Sequence, residues 1–571
     1  MIDAERILKE TYPDFKLGKD NKLAIKALKK LLHEDDFNNV IRKNQHLRGF
    51  AFLDKLLSYF KFNYEVSNES FNNIPSEGRL LIVANHPLGT LDGLALVKLI
   101  RTVRPDVRIV ANRVLSHMEP LQSVFLPVDV LSDKKNLKES YKTMVDALEN
   151  EEAIIIFPAG EVSRITPTGI RDGKWQSGFV KLARKSHCNI LPIHIKAKNS
   201  ALFYSMSTLY KPLGTMLLVQ EMFNKKNQQI KFKVGAPIPY ASIADSVETN
   251  KQLSQRFRKH VLNLGKRNKP LLFDTVETVV HPANAKAIKK ALFQSRLLGE
   301  TRDGKKIFLY HFVDDCPVMQ EIARLRELTF RSVEEGTGFA LDLDKFDIYF
   351  SHIVLWDDND LEIVGAYRVG EGPKIMATHG IEGFYSHTLF DLNSGIADYL
   401  PYSLELGRSF VQPRYWGQHS LEYLWYGIGA YIREQPEIKY LFGPVSISSA
   451  YPQQAKELII SFYKQQFGSD QLQARARKPF VISEQNQIFA ANTFNTDYSS
   501  GFKILNSELK KLGVKVPILY KQYVELCIDN GCHFLDFNID PEFNNCIDSL
   551  IMVEIEKINP KKRQRYIDTV L

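Results

Sequence analysis

The sequence predicts an α/β protein made of two different modules. The chain has 571 residues, more than one hydrophobic core usually organises. Short apolar segments alternate with segments of helical apolar spacing, which is typical of α/β layer folds. A second series of such patterns starts near Ile307 and does not repeat the first. We therefore expect a basic amphipathic helical entry segment at 1–73, a first domain at 74–265, a linker at 266–302 and a second domain at 303–571.

The first module is predicted from a strand, loop and helix pattern that recurs along its sequence. The strand-like GRLLIVANHP is followed by LDGLALVKLIRTV, whose apolar residues have helical spacing. Further strands are predicted in VRIVANRVL, SVFLPVDV, AIIIFPAG and ILPIHIKA, with helices over 136–150 and in GFVKLARKS. The basic stretch after Gly265 contains Pro270 and Pro282 and has no clear strand pattern, which favours a linker.

Composition narrows the class of protein. Hydrophobic residues make up 44% of the chain and charged residues 25%, as in ordinary globular proteins. The five cysteines are odd in number and lack metal-ligand spacing, so we expect neither a disulfide framework nor a metal site. The N-terminal stretch is charged, and no window offers about 18 uninterrupted apolar residues for a spanning helix. These features favour a cytoplasmic protein in a reducing compartment.

The formal charge of +9 favours an acidic partner. No nucleic-acid-binding motif is present, so nucleic acid is not expected, which leaves an acidic protein such as acyl carrier protein, or an anionic membrane surface. The lysine-rich stretch Lys16–Lys61 includes RGFAFLDKLLSYF, whose apolar positions are Phe50, Phe52, Leu53, Leu56, Leu57 and Phe60. These residues either bind the inner face of the cell membrane peripherally or pack on the following domain.

The segment NHPLGTLDG contains the first candidate catalytic residues. His86 leaves a predicted strand, and Asp92 follows just before a predicted helix. Loops at the carboxyl ends of strands are where open α/β sheets build sites, and a carboxylate beside an imidazole stabilises the imidazolium. His86 is therefore predicted to be a general base for a hydroxyl group. The alternative is an Asn-His-Pro turn in which Asp92 only caps the helix.

The segment FPAGEVSR ends another apolar strand and predicts an acceptor-binding loop. Gly160 permits close backbone approach, and Glu161, Ser163 and Arg164 offer polar contacts. With NHPLGTLDG and the later ILPIHI, this segment resembles the glycerolphosphate and lysophospholipid acyltransferase family, over about 74–240. The resemblance implies a glycerolphosphate-acyltransferase-like α/β domain, with Asn85 beside the catalytic residues in the acceptor site.

Two departures from that family pattern bear on the substrate. Five residues separate His86 from Asp92, where the family usually has four. Ala159 occupies the usual glutamate position of the second block, and Glu161 follows two places later. Both departures resemble the hemolysin-like and aminolipid branch of these acyltransferases, which implies an acceptor other than a phospholipid.

The second module carries an ordered set of acidic and basic residues. An arginine-rich helix, EIARLRELTFRSVEEGTG, precedes LDLDKFD, the strand EIVGAYRV and SLELGRSF. These segments, with FLDFNIDPEFNNCID further on, resemble the ornithine lipid N-acyltransferase branch of the GNAT-like fold, related to acyl-homoserine lactone synthases. The residues that carry the resemblance are Arg324, Arg326, Glu335, Asp342, Asp344, Asp347, Arg368, Glu405 and Arg408.

N-acyl transfer explains why such residues are needed. An amine is mostly protonated at neutral pH, so a carboxylate must remove a proton, and an amino acid's carboxylate needs a cation. Glu405 is the predicted base, and Asp344 and Asp347 are predicted to orient the substrate ammonium. Arg368 or Arg408 is predicted to bind the substrate carboxylate or to hold Glu405. The alternatives are a solvated acidic turn for the aspartates and a structural ion pair for Arg408.

Together the two modules resemble bifunctional ornithine lipid synthases. The resemblance implies N-acylation of an amino acid with a 3-hydroxyacyl group by the second module, and O-acylation of the resulting lyso-lipid by the first. It implies acyl-acyl carrier protein or acyl-CoA as donor substrate, and no metal or redox cofactor. One alternative is a phospholipid-synthesis acyltransferase with a non-catalytic GNAT-like domain, and another is a membrane-binding hemolysin-like protein that is not an enzyme.

Overall fold

The fold was analysed in a computed structural model of the chain. It describes residues 26, 29–30, 33–112, 118–128, 134–167, 169–209, 211–244, 246–392, 395–469 and 472–569. The first 25 residues of the predicted entry segment lie outside this part of the chain. The chain divides into two compact units, Met1–His281 and Pro282–Leu571, and each is described by itself.

The first unit is built on a mostly parallel seven-stranded sheet with the order β1-β9-β8-β2-β5-β3-β4, and β6 and β7 form a separate hairpin. Among the described strands of this sheet, β8 and β9 form an antiparallel pair, and the other neighbouring pairs, including β1 with β9, are parallel. The central strand β2 is buried along its whole length, as its apolar sequence predicts. The strands are β1 Asn63–Glu65, β2 Leu80–Ala84, β3 Arg108–Asn112, β4 Phe125–Val128, β5 Ala153–Ile156, β6 Arg164–Thr166, β7 Gly169–Arg171, β8 Asn189–Lys196 and β9 Gln229–Val234.

Helices cover both faces of this sheet, and each face has its own hydrophobic core. Alternate residues of β2 belong to different cores, with Leu80 and Ile82 in one and Leu81 and Val83 in the other. The helices are α1 Glu34–Lys43, α2 Gly49–Tyr59, α3 Asn68–Asn72, α4 Thr90–Arg101, α5 Lys134–Glu149, α6 Gly178–Ser186, α7 Ala201–Leu209, α8 Lys211–Asn224, α9 Ala241–Ala244 and α10 Asn250–Leu264.

The apolar residues of α2 pack inside the first unit. This helix lies against α4, and five of the six apolar residues noted in the sequence are buried in the core: Phe52, Leu53, Leu56, Leu57 and Phe60. Burial removes these side chains from any membrane surface. Of the two interpretations left open by the sequence, packing on the following domain is the one the structure supports.

The stretch predicted as a linker is more ordered than its sequence suggests. Residues 266–281 run over the first unit, where Phe273 is buried beside Phe257. Helix α11 and strand β10 of the second unit follow at Ala285–Leu292 and Arg296–Glu300. The linker prediction is therefore wrong for these two elements. The strand was missed because its sequence, RLLGE, is short and lies half exposed at the edge of its sheet.

The second unit contains an eight-stranded sheet with the order β10-β11-β12-β13-β15-β16-β19-β18, and a small sheet of β14 and β17. Every neighbouring pair in the large sheet is antiparallel except β15 and β16. The remaining strands are β11 Lys306–His311, β12 Ser351–Asp357, β13 Glu362–Glu371, β14 Phe390–Asp391, β15 Ser403–Val411, β16 Tyr440–Ile447, β17 Arg475–Ala476, β18 Cys532–Asp540 and β19 Cys546–Glu554.

Helices pack on both faces of the large sheet and enclose the main hydrophobic core of the unit. The helices after α11 are α12 Pro317–Ser332, α13 Gly372–Thr378, α14 Ser420–Arg433, α15 Gln453–Phe467, α16 Glu484–Thr493, α17 Tyr498–Lys511, α18 Ile518–Leu526 and α19 Pro560–Arg563. The α/β fold predicted for both modules is confirmed.

The parallel strands β15 and β16 separate partway along the sheet. They pair only where Ser403–Glu405 faces Tyr440–Phe442. Gly443 follows with a φ of 153°, and a Cβ there would collide with the carbonyl oxygen of Leu406. Beyond this point β15 continues to Val411 and β16 to Ile447 without pairing to each other. The divergence opens a cleft in the middle of the sheet.

Candidate active sites

His86 and Asp92 form a pair at the carboxyl end of β2. His86 Nδ1 lies 3.3 Å from Asp92 Oδ2, and the Asp92 side chain is fully buried. Backbone N–H groups of Leu88 and Gly93 donate to the Asp92 carboxylate at 2.8 and 2.9 Å. With Nδ1 facing a fixed carboxylate, Nε2 is the nitrogen left to accept a proton from a substrate.

The loop between β2 and α4 brings the two residues together. Gly89 has a φ of 106°, a left-handed conformation that favours glycine, and it turns the chain into α4. Asp92 therefore lies in the first turn of α4, where a carboxylate is favoured by the helix dipole. The imidazole stacks on Phe157 with ring centroids 3.9 Å apart. One ring face and the Nδ1 position of His86 are thus constrained before any substrate binds.

Two carboxylates raise the basicity of His86. Burial disfavours the charged imidazolium, but the charge and hydrogen bond of Asp92 and the charge of Asp172 outweigh it, so the pKa of His86 lies above its usual value. An imidazolium formed during proton transfer would be stabilised by the same two groups. This is the electrostatic environment that a general base for a hydroxyl group requires.

Asp172 supports the site and was not found by sequence reasoning. Its carboxylate accepts from the backbone N–H of His86 at 3.2 Å, from the Ser163 hydroxyl, and from Trp175 Nε1 at 3.0 Å. It is 1% exposed. No motif marks it, because it follows the hairpin β6–β7 and lies 86 residues from the backbone that it holds.

Asn85 and Ser163, which were predicted to contact the acceptor, hold the backbone instead. The Asn85 amide bonds both the N–H and the carbonyl of Ile195, and so ties the loop to β8. The Ser163 hydroxyl donates to Asp172, and its N–H donates to the His86 carbonyl at 2.7 Å. Each is buried with its polar atoms engaged, which places it behind the site rather than facing the acceptor.

The loop Phe157–Arg164 carries a cation one residue after Ser163, which contacts the His86 backbone. Ser163 is bonded to His86, and Arg164 follows it directly. Arg164 Nε and Nη1 are buried without a hydrogen-bond partner among the described residues, and Nη2 reaches Glu161 only at 3.5 Å. Gly160 has a φ of 68° with open space around it, which gives the loop its turn. Arg164 therefore keeps unused donors for an anionic group, whereas the Glu161 side chain is 41% exposed and pairs with Arg164.

In the second unit, three arginines and three aspartates form a charge-balanced network. Arg326 makes a bidentate hydrogen-bonded contact with Asp347, both bonds being 2.8 Å long. Arg368 bonds Asp344 at 2.6 Å and Asp347 at 3.2 Å. Arg408 lies 3.2 Å from Asp342 and 3.3 Å from Asp344. Burial acts against the Asp347 carboxylate, but Arg326 and Arg368 outweigh it and hold its pKa below the usual range.

This network leaves the predicted substrate ligands engaged with one another. Asp344 also caps the short helix Lys345–Ile348 by accepting from Phe346 and Asp347 N–H groups. Asp347 and Arg368 are nearly inaccessible. The prediction that Asp344 and Asp347 orient a substrate ammonium is therefore not matched by their placement, and the structural ion pair considered for Arg408 is present, with aspartates rather than Glu405 as partners.

Glu405 is enclosed by the loop that precedes it. Its carboxylate accepts from Tyr385 N–H at 3.0 Å and from the Ser386 N–H and hydroxyl at 2.6 Å each. Burial raises the pKa of Glu405, and these bonds with the charge of Arg368 oppose it only in part. Glu405 is 1% exposed and does not line the nearby cavity. The placement suits an anchor for residues 385–386 better than the predicted base.

A cavity of about 730 Å³ occupies the cleft between β15 and β16. Arg408 lines it, with its guanidinium 4.5 Å from the Tyr385 ring and 4.2 Å from the Phe543 ring. Four carboxylic acids also line it: Glu335, Asp540, Asp548 and Glu422, of which Glu422 pairs with His419 at 3.1 Å. The sequence showed Glu335 in an ordered pattern without giving it a role, and the two aspartates lay in matched segments but were not singled out.

None of the helices in the described part of the chain combines the length and the apolar character needed to cross a bilayer. Within the same residues, no group of three His, Cys, Asp or Glu side chains is arranged to hold a metal ion.

Comparison with known families agrees with both sites. A family described as Acyltransferase matches residues 6–265, and one described as Acetyltransferase (GNAT) domain matches residues 325–426. The first match contains the His86–Asp92 pair, and the second contains the arginine–aspartate network. The fold, the sites and these matches define an acyltransferase with a GNAT domain in its C-terminal half.

Individual relatives refine this class. A glycine N(alpha)-acyltransferase of Phocaeicola vulgatus is 30% identical over 52% of this chain and 94% of its own length. A lyso-glycine lipid O-acyltransferase of the same organism is 28% identical over 46% of this chain and 95% of its own length. An L-ornithine N(alpha)-acyltransferase of Brucella abortus is 32% identical over 22% of this chain and 44% of its own length. The chain belongs to the acyltransferase family that the Phocaeicola vulgatus glycine N(alpha)-acyltransferase represents.

Proposed function

We propose that this chain is a bifunctional acyltransferase that makes a diacylated amino-acid lipid. The second unit would join a 3-hydroxyacyl group to the α-amine of an amino acid, and the first unit would esterify the hydroxyl of that product. The observation that carries the proposal is the presence, in one chain, of the His86–Asp92 pair and of a separate GNAT cavity with ionisable walls. The N-acyltransferase and O-acyltransferase relatives support it, since each spans about half of the chain.

His86 is the proposed base for ester formation. Nε2 would take the proton from the acceptor hydroxyl as its oxygen attacks the carbonyl carbon of an acyl thioester, and the C–S bond would then break to release the thiol. Asp92, 3.3 Å from Nδ1, would stabilise the imidazolium formed in that step. Arg164 would bind the carboxylate of the amino-acid head group, because its Nε and Nη1 have no partner among the described residues and its charge favours an anion.

The substrates dictate the order of the two reactions. The hydroxyl needed by the first unit is carried by the 3-hydroxyacyl chain, which enters the molecule only when the amide is made. N-acylation would therefore precede O-acylation. The donors would be acyl thioesters of acyl carrier protein or CoA, and the charge of +9 is compatible with an acidic carrier.

Glycine is the proposed amino acid. The relative named for glycine is matched over 94% of its length, whereas the relative named for ornithine is matched over 44%. Ornithine is the second candidate, because its relative shows 32% identity in the shorter region.

The hairpin β6–β7 is the proposed membrane contact. Ile165 and Ile170 face each other across the hairpin and are 56% and 39% exposed, and Leu202 on the adjoining helix α7 is 60% exposed. Exposed basic residues lie nearby in the chain at Lys174 and Lys198. An apolar tip flanked by cations matches the inner face of an anionic membrane, and it directly follows the Arg164 position where the lipid acceptor would bind.

Lipid analysis tests the proposal. The full chain would be expressed in a bacterial host without amino-acid lipids, and extracts would be examined by mass spectrometry. N-acyl and N,O-diacyl amino acids are expected. Absence of both lipids would refute the bifunctional assignment, and new phosphatidic acid without either lipid would support the phospholipid-synthesis alternative.

A further inference from the structure

We propose that Glu335, Asp540 and Asp548 form the site for the ammonium group of the amino-acid acceptor, and that Glu335 removes a proton from it. This inference rests on the proposed N-acyltransferase function and assigns its base to a different residue from Glu405. We refer to the three residues as the acid cluster.

Sheet register places the acid cluster on one wall of the cavity. Ser446 on β16 faces Asp548 on β19, and Asp540 on β18 faces Cys546, which is two residues from Asp548 on the same side of β19. The Ser446 hydroxyl donates to Glu335 at 2.8 Å and so brings the end of the α12 segment to the same wall. All of these residues line the cavity.

The charges around this wall do not balance. The three arginines of the neighbouring network already face three aspartates. No Lys, Arg or His among the described residues forms an ion pair with a member of the acid cluster, and Asp540 and Asp548 are 3% and 7% exposed. Buried carboxylates without a cation are costly, so a positively charged ligand would stabilise this wall.

A second observation points to a polar ligand at the same place. Thr329 is 6% exposed and lines the cavity, yet its hydroxyl has no hydrogen-bond partner in the described part of the chain. Buried hydroxyl groups normally find a partner, so this group is available to a bound amino acid.

The electrostatics of Glu335 suit proton removal at neutral pH. Burial raises the pKa of Glu335 to about 7, with the Ser446 hydrogen bond acting in the opposite direction. Burial and the Asp540 and Glu335 carboxylates raise the pKa of Asp548, which is partly offset by Arg408. Among the described residues, the titratable or charged groups that face the acid cluster from the surrounding elements are Arg408, Tyr385, Tyr451, Tyr520 and Cys546. None of these is as well placed as Glu335 to exchange a proton near pH 7.

The proposed step conserves protons and charge. The acceptor ammonium gives one proton to the Glu335 carboxylate, and the neutral amine attacks the carbonyl carbon of the acyl thioester. A C–N bond forms, the C–S bond breaks, and the second amine proton leaves with the thiolate as the free thiol. Glu335 then returns its proton to solvent through the open cavity. Asp540 and Asp548 hold the ammonium before the transfer and are positioning residues.

Kinetics of the purified full chain test the assignment. N-acylation would be followed as thiol release from a 3-hydroxyacyl-CoA, with glycine and then L-ornithine as acceptor. Glu335→Gln should lower kcat about 10²- to 10⁴-fold and remove the rise in rate near pH 7. Asp548→Asn should raise the KM for the amino acid more than it lowers kcat. Glu457→Gln is the matched control, because Glu457 is also buried in the second unit but bonds Ser483 and Asn486 outside the cavity.

An altered acceptor separates base chemistry from structural damage. Aminooxyacetate carries an amine that is already neutral at pH 7, so the defect of Glu335→Gln should shrink with this acceptor. The assignment would be overturned if Glu335→Gln lost the same factor in kcat with both acceptors. It would also be overturned if the rate of Glu335→Gln still rose near pH 7 as in the wild-type chain. If the wild-type chain does not acylate any amino acid, the proposed function fails, and calorimetry then tests the acid cluster separately. Glycine or ornithine binding that survives in an Asp540→Asn, Asp548→Asn double variant would refute the ammonium site.

Discussion

Asp92 Oδ2 lies 3.3 Å from His86 Nδ1 and also accepts the N–H of Leu88 at 2.8 Å. One carboxylate oxygen therefore holds both the imidazole and the backbone of the loop that presents it. The arrangement fixes the orientation of His86, the proposed base. Substitutions at His86 and at Asp92 are therefore expected to have different effects.

Loss of His86 should stop the second reaction alone. His86→Ala removes a proton-transfer contribution worth about 10²- to 10⁴-fold and leaves the second unit unchanged. Mono-acylated amino acid should accumulate in the lipid extract, measured by mass spectrometry. His187→Ala is the control, because His187 ends helix α6 and is not part of the site. Normal diacylated lipid from His86→Ala would remove His86 from the mechanism.

The pH dependence of ester formation should follow the raised pKa of His86. The neutral imidazole is the active base, so the rate should increase with pH through a value above 6.5. Asp92→Asn removes a carboxylate that raises this pKa, while burial still lowers it. The rising part of the pH–rate profile should therefore move to lower pH in the variant, and kcat should fall. If the rate rises at the same pH in the variant as in the wild-type chain, Asp92 does not act on the titrating group.

Arg164 should contribute to acceptor binding. Arg164→Lys keeps the charge but loses the planar pair of donors, so the KM for the lyso-lipid should rise about tenfold, as expected for loss of a charge-assisted hydrogen bond. The kcat should change less. Arg108→Lys, at a surface ion pair with Glu152, is the control. A collapsed kcat with an unchanged KM would contradict this role.

Glu335 should lower stability above neutral pH. Its folded pKa of about 7 exceeds the usual 4.5, so the folded chain binds the proton more tightly than the unfolded chain. Ionisation therefore costs stability progressively between about pH 4.5 and 7, by up to about 3 kcal/mol. Glu335→Gln should raise the unfolding temperature at pH 8 relative to wild type, with little difference at pH 4.5. Equal differences at the two pH values would argue against a raised pKa.

The β6–β7 hairpin should control membrane contact. Ile165→Asp with Ile170→Asp places charges on its apolar tip, so sedimentation with phosphatidylglycerol vesicles should fall several-fold. Salt should release the wild-type chain only in part, because charge attraction is screened within about 10 Å at 0.1 M salt whereas apolar contact is not. Val247→Asp, at another fully exposed apolar residue of the first unit, is the control. Unaltered sedimentation of the double variant would exclude the hairpin.

Local patterns in the sequence predicted the fold class and the proximity of His86 and Asp92. The strand and helix of His86 and Asp92 are adjacent in the chain, so spacing alone brings those residues together. Asp172 and the acid cluster depend on contacts across long separations, such as the 111 residues between Ser446 and Glu335. A single sequence records which residues are ionisable but not which of them are paired. Glu405 was preferred as base for that reason, although its three hydrogen bonds enclose it.

Strands β15 and β16 stop pairing partway along the sheet, and this also bears on whether copies of the chain can associate. The peptide groups of β15 beyond Glu405 form a sheet edge in the interior of an eight-stranded sheet, with β13 on one side and β16 on the other. Exposed outer edges invite a strand from another copy and hence aggregation. The peptide N–H and C=O groups of an edge enclosed within its own sheet can bond a narrow ligand that contains amide groups. A second folded chain cannot reach them. The unit thereby keeps unpaired backbone for binding without adding an outer edge that could seed polymerisation.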